Sequence, residues 1–287
     1  MPAIFFAFVS YFSWGIGDIL TVVVSRKIGA LSTYFWFQSL ALIVGIFLSP
    51  FFLKDLSGLT LDILLLNVGL AAILVIGSLS FDYGLKIGNA SLVGTISASF
   101  SAVVVILSIF FLKESISQSQ ILAILIILAG VVLSTLNLSD LLNGKTKVGK
   151  GELFALITMV AWGIYFTFIQ VPVLHIGWFW VSIISGVTGI ALVCLVFLRG
   201  YKLNSPIKNK ILLPLLGVVL LVKAAEGSFY FAVTHGQTFI VAPIAGAYPT
   251  LFVVLSFLIF KDPITRQQII GIITTLIGIV LLSIFSV

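Results

Sequence analysis

The chain has 287 residues, of which 61% are hydrophobic and 8% charged, and its formal net charge is +6. Soluble domains carry roughly 25% charged residues, so this composition excludes a soluble protein and indicates an integral membrane protein. The basic residues lie in short connections between apolar stretches and form no continuous face, which argues against nucleic-acid binding. Cys194 is the single cysteine, so no disulfide can form within the chain.

Ten apolar stretches along the chain are long enough to cross a bilayer as helices. They are too long and too continuous to be the strands of a membrane barrel. The predicted fold class is therefore an all-α polytopic membrane protein with ten transmembrane helices. Hydropathy predicts the spans at about 3–24, 31–53, 63–85, 90–112, 120–138, 152–173, 178–198, 211–233, 238–260 and 267–286.

The first predicted span carries an acidic residue. Asp18 follows Trp14 by four residues, so both side chains lie on one face of a helix. A carboxyl group in hydrocarbon prefers its neutral, protonated form. Asp18 would therefore suit a proton-coupling group or the counter-ion of a cation. The alternative is an interfacial acid nearer the outer third of the helix.

The two halves of the chain repeat each other at an offset of 148 residues, the distance from Trp14 to Trp162. Five spans fall in each half, 1–139 and 149–287. Because five is odd, the second half must enter the membrane upside down relative to the first. Inverted repeats of this kind build alternating-access transporters with the site near the midplane, between the repeats. Matching segments include Trp14-Gly15 with Trp162-Gly163, Lys113-Glu114 with Lys261-Asp262, and Gln120-Ile121 with Gln268-Ile269.

Each half thus opens with Trp-Gly and closes with Lys-acid, a polar turn, Gln and a Gly-bearing last helix. In this combination the whole chain resembles the EamA-type transporters of the drug/metabolite transporter superfamily. The resemblance implies secondary transport or exchange of small metabolites without ATP. Pro249 matches a proline that is common in the fourth helix of such repeats, whereas the first half has Ser101 there.

The ninth span contains prolines, and the second contains a glutamine near its middle. Pro243, Gly246 and Pro249 predict a break in the ninth span, because proline removes a backbone hydrogen-bond donor. Freed carbonyl groups can line a cavity in the membrane. Gln38 lies near the middle of the second span, where we expect its side chain to make a hydrogen bond between helices.

The eighth span, Ile211–Val233, carries two charges near its middle. Lys223 and Glu226 stand three residues apart and share one helical face, and each ionised group at this depth costs about 2.5–3.5 kcal/mol. One interpretation is a structural ion pair that locks the helix to its neighbours. The other is a polar site for a transported solute, with Tyr230 one turn further along. We predict that the pair faces a cavity between the halves, because the opposite face is purely apolar.

Aromatic side chains complete the candidate site. Trp14, Trp162 and Tyr248 lie near mid-span, on helices that surround the cavity in the family that the chain resembles. An aromatic belt at the membrane interface is the alternative. The predicted substrate-binding residues are therefore Trp14, Asp18, Trp162, Lys223, Glu226, Tyr230 and Tyr248.

Two solute classes fit these residues. In a zwitterion such as an amino acid, the carboxylate would meet Lys223 and the ammonium Glu226 or Asp18. A cationic or quaternary-amine solute would instead bind the aromatic rings through cation–π contacts, with Lys223 neutralising Glu226. The sequence contains no evident catalytic or metal-binding set, so we predict a transporter without a cofactor, and neither an enzyme nor a non-transporting scaffold.

The loop charges predict the orientation. Twelve of the fifteen Lys and Arg residues lie in the odd-numbered connections, against Lys54 and Lys113 on the other side. The positive-inside rule then places both termini outside the cell, whereas members of the resembled superfamily usually have both inside. We expect a multi-pass protein of the prokaryotic inner membrane that works as a monomer. Its expected partners are a small-molecule substrate, the lipid bilayer and a coupling proton, with no nucleic acid.

Overall fold

A computed structural model describes residues 2–88, 90–136, 149–198, 200–261 and 264–286. Within these ranges every regular element is helical, and ten helical segments are long and apolar enough to cross a membrane. The predicted all-α fold and the predicted number of spans are therefore confirmed.

Twelve α-helices build these ten segments, and a helix in the first half corresponds to the helix numbered six higher in the second. The first half contains α1 (Pro2–Ile28), α2 (Ala30–Leu48), a 3-10 helix (Ser49–Gly58), α3 (Leu61–Ile87), α4 (Ala90–Ala98), α5 (Phe100–Phe111) and α6 (Gln118–Thr135). The second half contains α7 (Lys150–Phe168), α8 (Gln170–Phe197), α9 (Leu212–His235), α10 (Thr238–Gly246), α11 (Tyr248–Phe260) and α12 (Arg266–Ile284).

The fourth and ninth spans are both broken. Helices α10 and α11 meet at Ala247, with Pro249 in the first turn of α11. Helices α4 and α5 meet at Ser99, which lies 148 residues earlier. Proline predicted the break in the ninth span alone. In the first half a hydroxyl group contributes instead, because Ser99 Oγ donates to the Thr95 carbonyl at 3.0 Å and competes with the helical ladder.

Backbone conformations repeat at the same 148-residue offset as the sequence. We call residues 148 positions apart repeat equivalents. Gly29 ends α1 at φ 82°, and its equivalent Gly177 bends α8 at φ 71°. Both angles lie in the left-handed region that favours glycine. Lys113 and its equivalent Lys261 also have matching positive φ angles, 58° and 63°. The duplication is therefore a property of the folded chain.

The last helix of each half starts with the same cap. Ser117 and Gln120 form a capping box at the start of α6, and their equivalents Thr265 and Gln268 form one at the start of α12. In each box the hydroxyl accepts from the backbone of the glutamine, and the glutamine side chain accepts from the backbone of the cap. This reciprocal bonding satisfies two otherwise free N–H groups.

Equivalent helices of the two halves make equivalent contacts where the halves pack on each other. Ser10 of α1 donates to the Ala225 carbonyl of α9 at 3.0 Å, and its equivalent Thr158 of α7 donates to the Gly77 carbonyl of α3 at 3.0 Å. The first helix of each half thus lies against the third helix of the other. Contacts that exchange between equivalents are those of a two-fold symmetric pair, here formed within one chain.

Candidate functional site

The middle of α9 holds a close ion pair. Lys223 Nζ lies 2.7 Å from Glu226 Oε2, and this is the one salt bridge within the described ranges. The side chains are 23% and 17% exposed. They are therefore neither sealed in a core nor fully turned outward, and the neighbouring helices decide what surrounds them.

Helix α2 of the first half brings aromatic side chains to this pair. The Phe37 ring centroid lies 4.9 Å from Lys223 Nζ, which is within cation–π range. One turn earlier, Tyr34 lies within electrostatic reach of Glu226. A ring of the first half, that of Phe37, thus lies against the lysine of the second half's ion pair.

Two further tyrosines that interact electrostatically with the acid are buried. The hydroxyl groups of Tyr165 on α7 and Tyr230 on α9 are hydrogen-bonded to each other at 2.5 Å. Both phenols lie within electrostatic reach of Glu226. Tyr34, Tyr165 and Tyr230 thus place three hydroxyl groups within electrostatic reach of one carboxylate, and each hydroxyl can donate or accept a hydrogen bond.

Small residues of α8 make room for this arrangement. A Cβ atom on Gly189 would overlap the Tyr34 hydroxyl, and a Cβ atom on Gly186 would lie 3.3 Å from the Leu42 side chain. Beside these glycines, Ser185 Oγ donates to Asn67 Oδ1 at 3.1 Å. The polar environment therefore continues from α9 through α8 to α3.

Two equivalent aromatic clusters lie on the first helices of the halves. Trp14 contacts Phe229 and Tyr248, with ring centroids 5.7 and 5.8 Å away. Its equivalent Trp162 contacts the equivalent rings, Phe81 and Phe100, at 5.4 and 5.8 Å. The glycine after each tryptophan permits this packing, because a Cβ on Gly15 or Gly163 would clash with Leu251 or its equivalent Val103.

Phe166 joins the two clusters. Its ring lies 5.5 Å from Trp14 and 5.1 Å from Phe100. Its repeat equivalent is Asp18, which is half-buried on α1 and within electrostatic reach of Tyr248. Asp18 has no salt bridge to any described residue. The acid therefore lies one turn after Trp14 on α1, within electrostatic reach of Tyr248 and without a salt bridge to Lys223.

The seven predicted site residues thus fall into three groups. Lys223, Glu226 and Tyr230 lie together on α9. Trp14, Asp18 and Tyr248 form the second group, and Trp162 lies in the equivalent cluster of the other half. In the described ranges no three His, Cys, Asp or Glu side chains gather into a metal-binding group.

The contribution of α2 was not predicted from the sequence. Tyr34 and Phe37 stand three residues apart on one helical face, and that spacing was the available signal. The expectation for Gln38 was wrong: its side-chain nitrogen donates to Tyr34 of the same helix at 3.2 Å, not to another helix. The buried hydroxyl of Tyr34 competes successfully for that donor because it lies one turn away.

These features define a class, a multi-pass membrane protein built from two matching halves. The model of the EamA-like transporter family matches residues 1–136 and 149–284. The chain belongs to this family and is a transporter of the drug/metabolite type.

Two individual proteins are also similar to the chain. An uncharacterized protein of Methanocaldococcus jannaschii is 37% identical over 102 residues, which are 36% of this chain and 74% of that protein. A solved crystal structure matches with a TM-score of 0.76 over 99% of this chain and 97% of its own. At 17% identity the second likeness shows the fold alone.

Proposed function

We propose that the protein is a secondary transporter of a small zwitterionic metabolite such as an amino acid, with its site at Lys223 and Glu226. The observation that carries this proposal is the partly exposed 2.7 Å ion pair on α9. Phe37 of the other half contacts its lysine. Opposite charges a few ångströms apart match the carboxylate and ammonium of a zwitterion.

In the proposed site, the solute separates the internal ion pair. Its carboxylate accepts from Lys223 Nζ, and its ammonium donates to Glu226. One ion pair becomes two, so neither protein charge is left unpaired. In the empty protein the same two groups neutralise each other, which lets the empty carrier rearrange without moving a net charge across the membrane.

We propose alternating access as the transport cycle. Two halves of five spans each, in opposite orientations, would rock about the site between them. The aromatic clusters around Trp14 and Trp162 would act as the equivalent walls of the two access paths. Asp18 would carry the coupling proton. No ATP is involved, and the proposed location is the inner membrane of a prokaryotic cell.

A cationic or quaternary-amine solute is the second candidate, because Glu226 lies within electrostatic reach of three aromatic residues, Tyr34, Tyr165 and Tyr230. In that case Lys223 only neutralises the acid in the empty protein. The two candidates therefore differ in what Lys223 does when the solute is bound.

The deciding experiment is uptake by proteoliposomes with a panel of labelled amino acids and labelled tetraethylammonium. Lys223→Met should reduce amino-acid uptake about 10- to 100-fold, the value of one hydrogen bond to a charged group. The matched control is Lys54→Met, an exposed lysine of the 3-10 helix. Uptake of tetraethylammonium that survives Lys223→Met, without amino-acid uptake by the wild type, would favour the cationic candidate.

A further inference from the structure

The side chain of Gln38 has a buried oxygen atom that no described residue bonds. Gln38 is 4% exposed, and its Nε2 donates to the Tyr34 hydroxyl at 3.2 Å. Its Oε1 makes no hydrogen bond within the described part of the chain. A buried carbonyl oxygen without a donor is destabilising, and an apolar side chain of similar shape would avoid that cost. Its presence needs an explanation.

The amide is held in the orientation that leaves the oxygen free. Because Nε2 donates to Tyr34, the phenol hydrogen is free to turn toward the negative charge of Glu226, which lies within electrostatic reach. The opposite orientation would direct that hydrogen to Gln38 and away from the carboxylate. The atom without a partner is thus an acceptor, and its own amide group bonds a phenol that lies within electrostatic reach of Glu226.

Gln38 also lies where the two halves meet. Its Oε1 is 3.6 Å from the position that a Cβ on Gly186 would occupy, and Gly186 is its repeat equivalent. A residue that lies beside its own equivalent is on the pseudo-two-fold axis relating the halves. The neighbouring Phe37 ring contacts Lys223. The oxygen without a partner therefore lies near the axis between the halves. Its residue directly follows Phe37, whose ring contacts Lys223.

We propose that Gln38 is a specificity-determining residue whose carbonyl oxygen accepts a hydrogen bond from an N–H group of the transported solute. This inference rests on the proposed function and makes it narrower. A primary ammonium can donate to Glu226 and to Gln38 at once. A quaternary ammonium has no N–H and leaves Oε1 unpartnered, and sites built around a hydrogen bond reject analogues that lack it. The solute is thus an amine that retains at least one N–H.

A methylation series tests the proposal. Proteoliposomes take up the labelled amino acid that wild-type protein transports fastest, in competition with its unlabelled N-methyl, N,N-dimethyl and N,N,N-trimethyl derivatives. In the wild type, the trimethyl derivative should need at least about tenfold more than the parent amine for half-inhibition, the value of roughly one hydrogen bond. In Gln38→Leu this ratio should fall to about threefold or less.

Two further variants separate recognition from folding. Gln38→Glu keeps an acceptor and should retain the preference for N–H groups. Gln118→Leu, an exposed glutamine at the start of α6, should behave as the wild type. Gln38→Leu should elute as a single species and melt close to the wild type, because the removal of an unpartnered polar atom offsets the loss of the hydrogen bond to Tyr34.

The outcomes are distinct. If the trimethyl derivative competes as well as the parent amine in the wild type, the role of Gln38 is wrong while amino-acid transport stands. Equal discrimination in the wild type and Gln38→Leu overturns it too. If folded wild-type protein takes up no amino acid, the proposed function itself fails, and this inference fails with it.

Discussion

Helices α3 and α9 are repeat equivalents that pack in the same way, but only α9 carries charged side chains near its middle. Both pack against the first helix of the other half, and both end at a glycine, Gly88 or Gly236. At the positions of Lys223 and Glu226, however, α3 has Val75 and Ser78. The duplication thus supplied the scaffold twice, while the ion pair exists once.

Helices α2 and α8 differ in the same way. Phe37 and Gln38 of α2 correspond to Ser185 and Gly186 of α8. Large side chains on one helix therefore lie against small ones on its equivalent, and the space between the halves is asymmetric. A transporter with an approximately symmetric frame can in this way bind a solute in one defined orientation.

The largest predicted effect concerns orientation. Lys54 and Lys202 are repeat equivalents in exposed connections of the two halves. After replacement of Cys194 by Ala, we expect a membrane-impermeant maleimide to label Lys54→Cys in intact cells, and Lys202→Cys only after lysis. The reason is that the predicted inversion would place equivalent positions on opposite sides, and the predicted orientation would place the basic connections inside.

Two other labelling patterns would contradict this prediction differently. Labelling of both cysteines in intact cells would mean that the halves are not inverted. The reversed pattern would keep the inversion and place the termini inside, as is usual for the superfamily. Cys194→Ala without a new cysteine is the background control.

The second prediction converts α9 to the chemistry of α3. The double variant Lys223→Val with Glu226→Ser should reduce amino-acid uptake more than 10-fold, because both charged contacts to the solute are lost. Its melting temperature should stay the same or rise, since removing both members of a partly buried pair leaves no unpaired charge. Uptake assays and thermal melting in detergent measure the two effects.

The matched control for the double variant is Ser78→Ala in α3, which should keep wild-type uptake. Loss of folding in the double variant would instead favour the structural ion pair. Unchanged uptake in a folded double variant would move the site elsewhere in the chain.

Hydropathy and the 148-residue repeat predicted all ten spans, because long apolar runs and a constant offset are direct consequences of the membrane and the duplication. The break at Ser99 was not predictable from proline, since the first half has Thr95 and Ser101 where the second half has Pro243 and Pro249. The pairing of Lys223 with Glu226 followed from their spacing. The positions of Phe37 against Lys223 and of Tyr34 within electrostatic reach of Glu226 could not be predicted, because contacts between distant helices are not encoded in local periodicity.

A third prediction compares the two Trp-Gly motifs. Gly163→Ala should destabilise the protein by about 1–3 kcal/mol, and Gly15→Ala by less. The new Cβ at Gly163 would overlap the branched Cβ of Val103, which is fixed to its backbone. At Gly15 the closest atom, at 2.7 Å, is the outer methyl group of Leu251, which can rotate away. Melting of both variants in one detergent measures the difference, and an equal loss would mean that the helices move apart in either case.

The smallest predicted effect tests how equivalent the two helix contacts are. Ser10→Ala and Thr158→Val each remove one hydrogen bond between helices, 3.0 Å long in both cases, and neither deletes a buried methyl group. Such bonds contribute about 0.6 kcal/mol on average in membrane proteins, so each variant should melt only slightly earlier than the wild type. Both hydroxyls also bond within their own helix, to the carbonyls of Phe6 and Phe154. Each variant therefore also loses one hydrogen bond within its own helix. Because neither group touches the ion pair, uptake should not change. Equal shifts would establish that the two contacts are energetically equivalent, whereas a shift in one variant alone would show that the halves differ in packing as well as in charge.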